Sequence, residues 1–274
     1  MSGAVHAGGA VPPTADEQWR SVCDTVGLAL WFVWHWLRRH PGEEVPFVLR
    51  QRIDIFRKTA CYDPATMSGD RPPFDQPRWL ELEAAAARLY AEHRADAAAG
   101  SFERRALELF RPALEEGRKA QATRPPPDFS AYQAGSLRYN PIPGTPGTIA
   151  LHIGNALRPR SIFDDPDYLP RCLLALLDHA EAALGARTLH CGTWLNSHPR
   201  WLALFPDEWR RAMSPPDENI QWHLGFWGQF INARGLFHEK NGRLFRETGV
   251  MPFAHRMSNC SCAALRRHLL TRVG

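Results

Sequence analysis

The chain is poor in the signatures that usually name a protein's chemistry. Its six cysteines form no Cys-x-x-Cys pair, which disfavours a zinc knuckle or a thioredoxin-type redox motif, and free thiols in a reducing compartment are expected. All but three of its 33 basic residues are arginine, spread along the chain rather than massed, and the net charge is only +4. The densest basic run, Arg38-Arg39-His40, is too short for a nucleic-acid surface, so no nucleic-acid partner is expected. No long apolar run is present. Gly27 to Trp36 is about half the length of a membrane span, and no charged leader opens the chain, so a soluble cytoplasmic protein is expected. Gly-x-Gly-x-x-Gly, a phosphate loop ending in Gly-Lys-Ser/Thr, and Gly-x-Ser-x-Gly are all missing. His238-Glu239 lacks the second histidine of a metalloprotease helix.

What remains is an ordinary globular composition, 44% hydrophobic and 23% charged over 274 residues, enough for one large domain or two lobes. Residues 1–13 read as a disordered tail of Gly, Ala and Pro. Residues 14–122 read as a helical lobe. Thr14 to Arg39 carries apolar residues at helical spacing, and helices are expected over Glu44 to Lys58, Arg78 to Ala98 and from Ser101 to Ala122. Residues 123–135, with three consecutive prolines, read as a stiff linker.

The pattern changes at 136–274, which reads as an α+β lobe. Ser136 to Pro143 and Thr148 to Gly154 alternate around a Gly-Thr-Pro-Gly turn, predicting a hairpin. Asp165-Pro166 and Gly185 bracket a helix, and a strand is expected over Arg187 to Thr193. Further strands are expected over Gln221 to Phe226 and Met251 to His255, with helices over Glu239 to Thr248 and Ser261 to Val273. The fold class is therefore α+β: a helical N-terminal lobe packed on a small mixed sheet with flanking helices.

One word recurs in this second lobe: an apolar residue, histidine, any residue, glycine. It appears at Leu151-His152-Ile153-Gly154, Leu189-His190-Cys191-Gly192 and Trp222-His223-Leu224-Gly225. On a strand the histidine and glycine share a face, and the glycine leaves space beside the ring. Three such strands would bring His152, His190 and His223 to one hollow. As catalytic residues they suit general acid and base work near neutral pH. Arg158, Arg160, Arg234 and Arg256 flank the words and could grip an anionic group; Asn155, Asn196 and Gln229 could orient polar atoms; Trp194 and Trp227 could wall a pocket.

This reading is a cofactor-independent enzyme of small-molecule metabolism, specialised metabolism included. It would be of lyase, cyclase or transferase type, displacing or eliminating a sulfate or phosphate from an anionic substrate. A homodimer is left open. Two alternatives stand beside it. The same three histidines could bind zinc or iron in a hydrolase or oxygenase, or the words could be packing features of a non-catalytic binding module. His35 and His179 read as packed rings, and Asp164, Asp165 and Asp167 as helix-capping groups. Cys191 should point away from the face that carries His190.

Overall fold

The computed structural model describes residues 11–66, 73–122 and 132–272. Most of the expected tail and most of the expected linker lie outside those residues. Among the described residues, no helix is long and apolar enough to cross a membrane.

Helix α1 (Ala15–Arg39) begins in a capping box. The Thr14 side chain accepts from the Glu17 amide, and the Glu17 carboxylate accepts from the Thr14 amide. α2 (Val45–Gln51) is shorter than its apolar content suggests. Ile53 and Ile55 are both buried, and a helix would set them about 200° apart on opposite sides. The chain therefore leaves the helix after Gln51 and resumes only as a single 3-10 turn over Phe56–Lys58. α3 (Pro77–His93) stops five residues before Ala98. The His93 carbonyl accepts from the Trp34 indole and its ring meets Asp96 at 2.8 Å, which fixes the end. α4 (Gly100–Ala122) carries Pro112 inside it.

These four helices share one core with a later segment of the chain. Ile220, Phe226, Trp227, Phe230 and Phe245 pack into it beside Phe32, Trp79 and Phe110. The Trp227 indole donates to the Arg52 carbonyl at 2.8 Å, and Arg246 pairs with Glu103 through two 2.8 Å bonds. The segment that follows the sheet's fourth strand thus returns to cover the helical lobe.

The second core lies on one face of a five-stranded mixed sheet. Strands β1 (Gln133–Ala134), β2 (Leu137–Pro141) and β3 (Thr148–Ile153) run antiparallel in sequence. Helix α5 (Tyr168–Leu184) then crosses over, so that β4 (Thr188–Thr193) lies parallel to β3. α5 ends at Gly185 in the left-handed conformation, as a helix-closing glycine should. Short helices α6 (Pro199–Leu202) and α7 (Asp207–Arg211) follow, then α8 (Leu224–Trp227) and α9 (Glu239–Thr248). β5 (Arg256–Ser261) closes the sheet antiparallel to β4, and α10 (Cys262–Leu270) packs behind it. The architecture is α+β.

Two expected strands are absent. Gln221 to Phe226 is a turn leading into α8 because the His223 imidazole accepts from the Gly225 amide and caps that helix. Met251 to His255 is not a ladder strand because the Gln229 side chain occupies the Phe253 amide and carbonyl. The strand lies one step later, at Arg256–Ser261, where the buried positions Ser258 and Cys260 alternate with the exposed Met257 and Asn259.

Candidate functional site: the polar face of the sheet

The two faces of the sheet differ sharply. Ile149, Leu151, Leu189, Cys191 and Cys260 point into the core against α5 and α10. The residues between them point the other way and stay half-buried or exposed. Read across the strands, one row is Asn140, Ala150, His190 and Asn259, each the direct partner of the next. Two residues further along, Arg138 pairs with His152, and Gly192 pairs with Met257. His152 and His190 thus share one face of adjacent parallel strands, with Ala150 leaving room between them.

The sheet forks at this point. The β3–β4 register ends at Ala150 and His190. Beyond it, β3 continues to Ile153 against β2, while β4 continues to Thr193 against β5. The Leu151 carbonyl meets the Cys191 thiol at 3.4 Å instead of a ladder amide. A fork at the carboxyl ends of parallel strands is where open α/β sheets hold their ligands. His152 stands on one arm and Gly192 on the other.

His223 reaches the same region from α8 rather than from a strand. A side chain at Gly225 would begin 3.3 Å from the Gly192 carbonyl and 2.7 Å from the His223 ring. His223 lies 5.6 Å, centroid to centroid, from a fourth ring, His255. His255 in turn stacks on Phe226 at 4.2 Å, and its Nε2 is 3.1 Å from where a Gly192 side chain would start. The glycine of the second word therefore makes room for His255 and Met257. Asp217 faces His255 Nδ1 at 3.7 Å.

Three of these rings are held toward the neutral form. Burial lowers the pKa of His190. Burial lowers that of His223 to about 4, with His255 adding to the effect and Asp217 opposing it. His255 is lowered by burial against the pull of Asp217 and a hydrogen bond with the Gly192 backbone. Because His223 Nδ1 accepts from an amide, its neutral ring carries the proton on Nε2.

The remaining candidates divide into three groups. Asn155, Arg158 and Arg234 meet at one corner after β3. Asn155 bridges the Arg160 and Ala233 carbonyls, Arg158 lies against Gly235, and Arg234 pairs with Glu17 at 3.3 Å. Arg160 is exposed nearby. Trp194 and Asn196 follow β4. Asn196 is fully buried, donates to the Cys191 and Arg256 carbonyls, and accepts from the Trp201 and Trp209 indoles. Gln229 and Trp227 belong to the helical side, and Arg256 donates to the Ser214 carbonyl. The Asn196 and Gln229 amides are thus occupied in tying loops together.

The packed-ring expectations have direct counterparts, whereas the aspartates do not cap α5 with their side chains. His179 stacks on Tyr132 at 3.7 Å and bonds the Tyr139 hydroxyl. His35 stacks on Trp31 with its Nε2 lacking a hydrogen-bond partner. Helix α5 starts at Tyr168 rather than at Asp165-Pro166, and Asp165 and Asp164 accept from the Asp167 and Ser161 amides in the turns before it. Among the described residues, no three His, Cys, Asp or Glu side chains converge closely enough to hold a metal ion. A cleft of about 340 Å³ lies elsewhere, between α1, α4 and α9, lined by Asp24, Glu103, Glu239 and Arg246, and no histidine reaches it.

His255, Asp217 and Arg138 escaped the sequence reading. Arg138 could have been found from the hairpin register, which sets it opposite His152. His255 and Asp217 carry no motif. Comparison of the chain with protein-family models, with curated proteins and with solved structures finds no match.

Proposed function

We propose that the forked face is the active site of an enzyme that uses neutral imidazoles as acid and base on a small anionic molecule. The observation that supports this most is the placement of His152 and His190 on one half-open face, with His223 and His255 gathered at Gly192. His190 is the base: it is unprotonated near neutral pH and takes a proton from the substrate. The electron pair left behind forms the new bond and expels a phosphate or sulfate. The His223 Nε2–H donates a hydrogen bond to the departing oxygen. A neutral imidazole suits that role, since its pKa near 4 keeps the ring uncharged. Arg138, beside His152, supplies the positive charge that holds the anion.

The test is release of inorganic phosphate or sulfate from a panel of monoesters that carry an acidic hydrogen β to the leaving group. H152A, H190A and H223A should each cut kcat by about 100-fold or more while circular dichroism stays native. Wild-type rates in all three variants, or no release from any ester, would reject the reading.

A further inference from the structure

The polar face changes character from one edge of the sheet to the other. At the β2 edge stand Arg138 and its partner His152. At the β5 edge stands Met257, the partner of Gly192, whose sulfur lies across the space that the glycine leaves open. Met257 nevertheless remains 40% exposed. Leu224 is 64% exposed and belongs to the turn whose Gly225 abuts the Gly192 carbonyl. Trp194 leaves β4 at the same end, half-buried, with its indole nitrogen beside Gly228 in the segment that follows α8. A single exposed apolar side chain needs no explanation. Two of them around one strand end, with the half-buried Trp194 beside them and an arginine across the fork, form a patch with a polar border. With strands about 4.8 Å apart, three strand steps put Arg138 and Met257 at least roughly 14 Å apart, because the fork widens the middle step.

We propose that the site takes an amphiphilic anion. A phosphate, sulfate or carboxylate head sits at Arg138 and His152, and an apolar body crosses the fork onto Met257, Leu224 and Trp194. The proposal rests on the acid–base reading above and names its substrate class. Charge decides the polarity of binding. A head group at the Met257 end would lose its water without gaining a cation, whereas at Arg138 it meets a guanidinium. The apolar body gains by covering Met257 and Leu224. It also lies across Gly192, which brings the bonds near the head within reach of His190.

The experiment is calorimetric titration of the full chain with inorganic phosphate, methyl phosphate, hexyl phosphate and hexanol, paired with NMR of the histidine ring nitrogens. Methyl and hexyl phosphate should both shift His152 and His190, and hexyl phosphate should bind at least tenfold tighter. Hexanol should not compete. The M257S/L224S double variant should bring hexyl phosphate down to the affinity of methyl phosphate, whereas R138Q should weaken both by the same factor. Equal affinity for the two esters, with the histidine shifts present, would overturn the amphiphile while leaving the anion site standing. A tenfold gain that survives in M257S/L224S would overturn it too. If no phosphate shifts any histidine, the acid–base reading falls and takes this proposal with it.

Discussion

His255 and Asp217 face each other across a single antiparallel bridge. The Asp217 amide donates to the His255 carbonyl at 2.9 Å, and the Asp217 carboxylate stands 3.7 Å from His255 Nδ1. The imidazole is only 5% exposed, and that Nδ1 has no hydrogen-bond partner. A buried ring nitrogen beside a carboxylate, just beyond bonding distance, is a place where a proton would be held from both sides. Asp217 favours the charged ring, and burial resists it. His223 is another titratable group facing it, and His255 makes protonation of His223 harder.

The D217N variant should therefore lower the His255 pKa further, since it removes the charge that pulls the value up. Titration of the ring by NMR measures this directly. In the same variant His223 should also move down, because Asp217 supports its charged form as well. An unchanged His255 midpoint would mean that the carboxylate does not act across the bridge.

Stability should fall with acid in a defined window. His223 has its pKa lowered from 6.5 to about 4 in the folded chain, so below pH 6.5 the unfolded chain binds its proton first. No penalty exists above pH 6.5; it grows as pH falls toward 4 and is complete below that. That lowering corresponds to about 3 kcal/mol at most, with His190 and His255 adding in the same direction. Urea denaturation between pH 7 and pH 4 should show this slope, and H223N should flatten it.

Gly192 is where β4 meets His255, Met257 and the turn that carries His223. A methyl group there would run into Met257 and come within 3.1 Å of His255 Nε2. G192A should cost about 1–3 kcal/mol and shift the His255 resonances. The G192A/M257A double variant should recover part of the loss, because Met257 is the flexible neighbour. Failure to recover would place the conflict at His255 instead.

The fold class was legible because the helices and the hairpin carry periodic patterns with clear ends. Thr14, Gly185 and Gly249 sit where caps should, and the β2–β3 hairpin delivers His152 as its alternation implies. The two absent strands share a cause: a side chain replaced a backbone partner. His223 caps α8 and turns an apparent strand into a helix start. Gln229 takes the Phe253 amide and carbonyl and displaces the last strand toward Arg256. No local pattern announces such long-range substitutions. The pairing of His152 and His190 followed from period-two alternation, but His255 could come only from packing, since its neighbours in sequence resemble an ordinary loop.

Asn196 joins the fork to the core. It is wholly buried and uses every hydrogen-bonding position of its amide: two donors to the Cys191 and Arg256 carbonyls, two acceptances from the Trp201 and Trp209 indoles. N196A would strand the two buried indole N–H groups, while the Cys191 and Arg256 carbonyls keep their places in the β4–β5 ladder. At about 1 kcal/mol or more for each indole, it should cost at least about 2 kcal/mol by urea denaturation. A loss below about 1 kcal/mol would mean that water enters and replaces the amide.

Gln229 offers a sharper contrast because its two ends do different work. Its nitrogen donates to the Phe226 carbonyl at 2.8 Å and the Phe253 carbonyl at 3.1 Å, while its oxygen accepts from the Phe253 amide at 2.8 Å. Phe226 carries the ring on which His255 stacks, and Phe253 precedes His255 by two residues. Q229A leaves two carbonyls and one amide unpaired, a cost of about 2–4 kcal/mol. Q229E keeps the acceptor but aims a carboxylate at two carbonyl oxygens, so it should destabilise the chain more than alanine does. Hydrogen exchange at residues 251–255 should rise in both variants, and the His255 ring should lose its stacked position on Phe226. If Q229E proved milder than Q229A, its carboxyl would have to hold a proton and donate it to the Phe226 or Phe253 carbonyl.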